Sequence, residues 1–278
     1  SDGVLVMCEA VIDLYRRTLG LDYPVESVAI FDGARPAIYG TYRAIVAPGE
    51  RVIYSTPSWN NNHYVRLSDA VAVECDTSAE EGFMPTAQQL RPLLPGARLL
   101  CLNSPLNPTG TVIDQDELRR ICELVIEENR RRQRSGEKTL YVMYDQVYYA
   151  LTFGDTKHYT PPELCPEMAA YTIFVDAISK SLCATGLRVG WAVAPPYVMS
   201  RMRDILGHVG AWAPRPEQIA TAAILKDADS LSSFQVAMNR EVEQRLSLLY
   251  EGIRTLQAAG LPVRAIPPQG AIYLSAQF

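Results

Sequence analysis

Lys180 lies in the run Ala177-Ile178-Ser179-Lys180-Ser181-Leu182-Cys183-Ala184-Thr185-Gly186-Leu187-Arg188-Val189-Gly190. It is the single lysine of a small and apolar stretch, with Arg188 eight positions on. Desolvation disfavours an ammonium, so this amine is expected to give up its proton readily and become nucleophilic. A Schiff-base lysine needs that property. Read alone, the segment fits a surface-loop lysine better. Two upstream segments shift the balance: Asn103-Ser104-Pro105-Leu106-Asn107-Pro108-Thr109-Gly110 and Tyr144-Asp145-Gln146-Val147-Tyr148-Tyr149. Asp145 follows the apolar run 140–144, which reads as a buried strand. Its carboxylate is therefore expected at a strand's C-terminal end, where open α/β sheets bind ligands. Each residue also has a plain structural reading: a turn or cap for Asp145, a turn before proline for Asn107, and packing for Trp59, Tyr148 and Tyr149.

The elements that must position these residues alternate between strand and helix. Residues 4–19 have helical periodicity and stop at Gly20. Residues 25–31 form a β-branched run, and 33–46 read as a helix opened by Gly33. Strands are expected at 51–54, 70–75, 98–102, 140–144, 171–175 and 188–194. Helices are expected at 60–67 and 86–94, and from Asp114 into an arginine cluster. This alternation predicts an α/β fold: a three-layer α/β/α domain around a mostly parallel sheet. Residues 214–225 and 230–259 read as helices, the second ended by Gly260. Residues 263–266 and 271–276 read as strands around the turn 267–270.

Composition narrows the function classes. The chain has 278 residues, 48% hydrophobic and 21% charged, with a net charge of −5. Such a length suits one large domain with a full core, or one large and one partial domain. An acidic balance gives no global attraction to nucleic acid or anionic membrane. The one basic cluster is Arg130, Arg131, Arg132, Arg134 and Lys138. It reads as positive side chains gathered at a helix C-terminus, where the dipole favours them. No apolar run approaches the roughly 18 residues that span a bilayer. Cys8, Cys75, Cys101, Cys122, Cys165 and Cys183 show no metal-site spacing and read as reduced core residues of a cytoplasmic protein. His63, near Trp59, reads as a neutral surface histidine, and no metal site is expected.

Together, the Asn-Pro-Thr-Gly, Asp-x-x-Tyr and Ser-Lys…Gly-x-Arg-x-Gly elements resemble, in order and spacing, the signature set of the class I/II aminotransferases. These are pyridoxal 5′-phosphate enzymes of fold type I, aspartate aminotransferase-like. The likeness runs from about Val4 to Phe278. It implies a large cofactor-binding domain over residues 1–260 and the start of a smaller domain at 261–278. It implies an aminotransferase, exchanging nitrogen between an amino acid and a 2-oxo acid through a Lys180 Schiff base. A lyase, decarboxylase or synthase on the same fold, or a non-catalytic cofactor-binding sensor, stays open, because the fold does not fix the reaction. The implied catalytic residues are Lys180, Asp145 and Tyr148. Asp145 would sit under the pyridine nitrogen, and Asn107 and Tyr148 would donate to the phenolic oxygen. Trp59 would stack on the ring. Gly33, Ala34 and Arg35 would cradle the phosphate at a helix N-terminus, with Arg188 pairing it and Ser179 beside it. Relatives often carry a serine where Ala177 stands. The substrate-carboxylate arginine is expected beyond Phe278, and a partner-subunit tyrosine before Ser1. A cytoplasmic homodimer is expected by the same likeness.

Overall fold

The computed structural model describes residues 3–278. Its main sheet is built from the apolar runs of the sequence: β1 (Val28–Asp32), β2 (Arg51–Thr56), β3 (Val71–Asp76), β4 (Ala97–Asn103), β5 (Tyr141–Asp145), β6 (Thr172–Ala177) and β7 (Val189–Val193). The strand order is β1-β7-β6-β5-β4-β2-β3. Strands β2 to β6 pair in parallel, while β7 runs antiparallel to both β1 and β6. The β6–β7 connection spans only residues 178–188. A parallel return needs a crossover of about a dozen residues or more, so this short link turns the chain back.

Helices cover both faces. On one side lie α1 (Leu5–Leu19), α5 (Gln115–Ser135) and α9 (Arg215–Lys226). On the other lie α2 (Ala34–Ile45) and α8 (Pro196–Val209). Successive strand residues point to opposite faces. Thus Ile30, Tyr144, Phe174 and Trp191 pack on the α1 side, and Phe31, Met143, Val175 and Ala192 pack on the α2 side. Both faces are buried, which is why these strands read as unbroken apolar runs. The expected three-layer α/β/α architecture is present. The remaining helices are α3 (Asn61–Leu67), α4 (Ala87–Leu90), α6 (Pro161–Leu164), α7 (Ile178–Ser181) and α10 (Ala228–Ala258). Among the described residues, no helix is long and apolar enough to cross a membrane.

Several expectations need correction. The helix expected at 86–94 is confined to α4, because Pro92 lacks an N–H and clashes with a preceding carbonyl. Helix α8 falls in a segment given no element above; Pro196 occupies its first turn, where proline is well suited. The strands expected at 263–266 and 271–276 shrink to β8 (Arg264–Ala265) and β9 (Ala276–Gln277). Ala271 has φ 58°, which no strand accommodates. Nor are all six cysteines core: Cys183 is exposed and Cys165 half-buried. Cys183 sits at φ 52° just past α7, with its sulfur 3.2 Å from Met238 Sδ.

The arginine cluster is structural. Arg131 pairs with both Glu128 and Glu137, and Arg130 pairs with Glu167. Arg132 is 2% exposed. Its guanidinium donates to the carbonyls of Leu94 (2.7 Å), Ala97 (2.6 Å) and Lys138 (3.0 Å), and its Nε to Glu128 (2.7 Å). It thereby joins the C-terminal turn of α5 to the starts of β4 and β5. Arg132→Ala leaves Glu128 and three carbonyls short of a buried donor. Urea unfolding is expected to show a loss of about 3 kcal/mol or more. Arg132→Lys should recover less than half, because an ammonium cannot reproduce the planar fork.

Candidate functional site

Strand polarity sets the site. With β7 reversed between β1 and β6, the C-terminal ends of β1, β2, β4, β5 and β6 and the N-terminal end of β7 meet at one edge. The loops leaving those ends carry Gly33, Trp59, Asn107, Asp145, Lys180 and Arg188. They enclose a cavity of about 470 Å³. Every residue singled out from the sequence lines it except Gly33, which lies directly behind.

Asp145 ends β5, in register with Asn103 at the end of β4. Asn103 ties the two together: its Nδ2 donates to the Asp145 carbonyl (2.9 Å), and its Oδ1 accepts from the Asn107 backbone (2.8 Å). Asn103 heads the motif that flagged Asn107, so the sequence held its signal. The Asp145 carboxylate is half-buried and has one weak donor among the described residues, the Val147 N–H at 3.3 Å. Burial pushes its pKa up to about 6, which that N–H only partly offsets. A cationic donor such as a protonated pyridine nitrogen is the partner this carboxylate lacks.

Lys180 projects from α7, directly after β6. It is half-buried rather than sealed off, because α7 is short and faces the open cavity. Its Nζ lies 5.8 Å from the Tyr148 ring centre. Burial raises the Tyr148 hydroxyl pKa, and the hydroxyl is hydrogen-bonded to that of Tyr273, where either oxygen can be the donor. The neighbouring Tyr149 packs beside His158 and turns away from the cavity.

The far end of the cavity is a cradle for an anion. Helix α2 starts at Ala34 with no side-chain cap, so the N–H groups of Ala34 and Arg35 face outward at its positive end. Gly33 has φ 81° and lies against Arg188, so a β-carbon there would collide with the Arg188 guanidinium. Gly190 is as constrained, since a β-carbon would sit 2.7 Å from Ala34 N. Arg188 itself has φ 56° and is braced by the carbonyls of Asp32 and Thr185, both at 2.9 Å, and by the Asp32 carboxylate at 3.4 Å. The fork keeps further N–H groups for an anion. Ser179 lines the cavity, and its carbonyl accepts from Thr185 Oγ (2.9 Å). Trp59 forms a wall, with the Arg35 guanidinium 5.3 Å above its ring. His63 is exposed and outside the cavity.

The arrangement fits pyridoxal phosphate: an amine, a carboxylate with one weak backbone donor, hydroxyl and amide donors, an aromatic wall and a glycine-backed anion cradle surround one space of suitable size. Sequence reasoning did not single out Asn103, Thr185, the apolar Ile38 and Val147, or Tyr273. Tyr273 arrives from the far end of the chain. Behind the site, Asp176 is fully buried on the opposite face of the sheet, with Oδ1 on the Ala177 N–H (2.7 Å). Burial first, and the Asp145 charge second, raise its pKa.

Comparison with known proteins agrees with the geometry. Residues 1–278 match the family described as Aminotransferase class I and II. The chain is 30% identical over 276 residues to an aspartate aminotransferase of Geobacillus stearothermophilus, covering 99% of this chain and 66% of that protein. It is 31% identical over 275 residues to an aspartate/prephenate aminotransferase of Thermus thermophilus, covering 98% and 66%. The solved Thermus thermophilus aspartate aminotransferase with maleate superposes with a TM-score of 0.89 at 28% identity, covering 98% of this chain and 67% of that one. The chain thus spans about two thirds of the length of the curated relatives it matches.

The Asp145 environment makes a test. Its folded-state pKa of about 6 lies above the ordinary 3.8, so the folded state holds this proton more tightly than the unfolded chain. Stability from this group is therefore present below pH 4 and lost as pH rises to about 6. In cofactor-free protein, Asp145→Asn should raise stability at pH 8 by about 1–3 kcal/mol and change little near pH 3.5. Thermal unfolding at both pH values checks it; a variant less stable at pH 8 contradicts the assignment.

Proposed function

The chain belongs to the class I and II aminotransferase family, and from that premise we propose that it moves an amino group between an amino acid and a 2-oxo acid with pyridoxal 5′-phosphate. The observation that carries the proposal is the shared cavity of Lys180, Asp145, Tyr148 and Arg188. When bound, the cofactor supplies an electron-withdrawing ring that stabilises negative charge at the substrate Cα. The chain's own residues do the rest. Lys180 Nζ would hold the cofactor's aldehyde carbon until a substrate amine displaces it, and the freed amine would then be placed to take the proton from the substrate Cα. Asp145 keeps a proton on the ring nitrogen. Tyr148 and Asn107 donate to the phenolic oxygen. Arg188 and the first N–H groups of α2 hold the phosphate, and Trp59 covers the ring.

We further propose an acidic amino acid as donor. The relatives are named for aspartate and prephenate, and one solved relative is titled with maleate. Arg35 supports this reading, since its guanidinium lines the cavity above Trp59, where it can pair a second carboxylate. Residues 1–260 are proposed as the large domain and 261–278 as the beginning of a second. A homodimer in the cytoplasm is proposed by family likeness; six free thiols support a reducing compartment.

The test is spectroscopic. Adding pyridoxal phosphate should produce a visible absorbance band at one cofactor per chain, and aspartate should discharge it. Lys180→Ala should lower activity at least 1,000-fold and abolish the band's response to borohydride. Stoichiometric uptake that no amino acid discharges would contradict the transferase proposal.

A further inference from the structure

Tyr273 comes from the C-terminal segment, more than 120 residues after Tyr148, yet the two hydroxyls are hydrogen-bonded in the cavity wall (|i−j| = 125). Their rings meet edge to face, 5.6 Å apart at 74°. The segment holding Tyr273 is fixed mainly by backbone contacts. The N–H groups of Gln269 and Gly270 both donate to the Gly110 carbonyl, at 3.0 and 2.9 Å, and Ala271 N–H donates to Leu151 (2.9 Å). Gln269 Oε1 accepts from Val112 N–H (2.9 Å), and Ser275 Oγ donates to the Pro108 carbonyl (3.2 Å). A β-carbon on Gly110 would lie 2.5 Å from the Tyr273 carbonyl, so only glycine admits this approach. Tyr273 is therefore clamped onto the same loop, 107–110, that carries Asn107.

A phenol has one proton and can also accept. The Asn107 side chain donates toward the Tyr148 oxygen. If Tyr148 spends its own proton on Tyr273, nothing remains for a ligand. If Tyr273 donates instead, the Tyr148 proton is left for the cavity. In that second arrangement the two bonds polarise each other and strengthen the outer one. We propose that Tyr273 is a positioning residue, whose hydroxyl donates to Tyr148 and so aims the Tyr148 proton at the phenolic oxygen of a bound cofactor. This rests on the proposed cofactor chemistry. The titratable groups facing Tyr148 are Tyr273, Asp145 and Lys180.

The experiment compares the parent, Tyr273→Phe, Tyr148→Phe and the double variant. In cofactor-loaded protein, the pH at which the visible band converts is read by spectrophotometric titration. Tyr273→Phe should raise it by about 0.3–0.5 unit and weaken cofactor binding about 3-fold, through loss of the polarising donor. In the Tyr148→Phe background the same change should do nothing further. A lowered transition means that Tyr148 had been donating to Tyr273 and overturns the proposal. An unchanged transition, or fully additive shifts, also overturns it while leaving the cofactor reading intact. In cofactor-free protein, urea midpoints of the four proteins should be non-additive, since both single variants break one bond. Additive midpoints overturn the hydroxyl pair whether or not the cofactor binds. A parent that takes up no pyridoxal phosphate instead defeats the functional proposal itself.

Discussion

Strand direction is the constraint on which the site depends. One reversed strand, β7, lies between β1 and β6, and its reversal follows from a connection too short for a crossover. That reversal brings the residues just after β6 and just before β7 to the same edge of the sheet. Lys180 and Arg188 thus face one cavity, eight residues apart in sequence. The ends of β1, β2, β4 and β5 at that edge bring Ala34, Trp59, Asn107 and Asp145 to the same cavity. Lengthening the β6–β7 link enough to allow a parallel return would place Arg188 at the far end of the sheet.

Within that frame, close approach and charge do the remaining work. Gly33 and Gly190 let a helix start, a strand and the Arg188 guanidinium come together where any β-carbon would intrude. The result is an uncapped helix N-terminus beside a braced cation, a pairing suited to a dianion. At the opposite end Asp145 is half-buried with one weak donor, and burial raises its pKa. The two ends are electrostatic opposites. A ligand with an anionic group at one end and a protonatable ring nitrogen at the other satisfies both.

The fold was legible because both sheet faces are covered. Residues 140–144 are apolar throughout and 171–175 are apolar except for Thr172, and such runs mark strands of a buried sheet. The site was legible where chemistry clusters locally, as at 103–110, 145–148 and 179–190. It was not legible where position depends on distant backbone. Tyr273 reaches the cavity through bonds from residues 269–271 to Gly110 and Leu151, which no local pattern announces. Arg132 was legible only in part: the basic run marks a helix C-terminus, as α5 shows, but not that the carbonyls of Leu94, Ala97 and Lys138 converge on it. Asp32, the brace of Arg188, comes from β1, 156 positions before the residue it holds.

One amine, at position 180, is proposed to hold the cofactor. Incubating the protein with pyridoxal phosphate, reducing with borohydride and mapping the tryptic peptides by mass reads this directly. A single stoichiometric label on the peptide containing Lys180 is the expected result. A label on any other lysine, or scattered substoichiometric labelling with Lys180 unmodified, contradicts it.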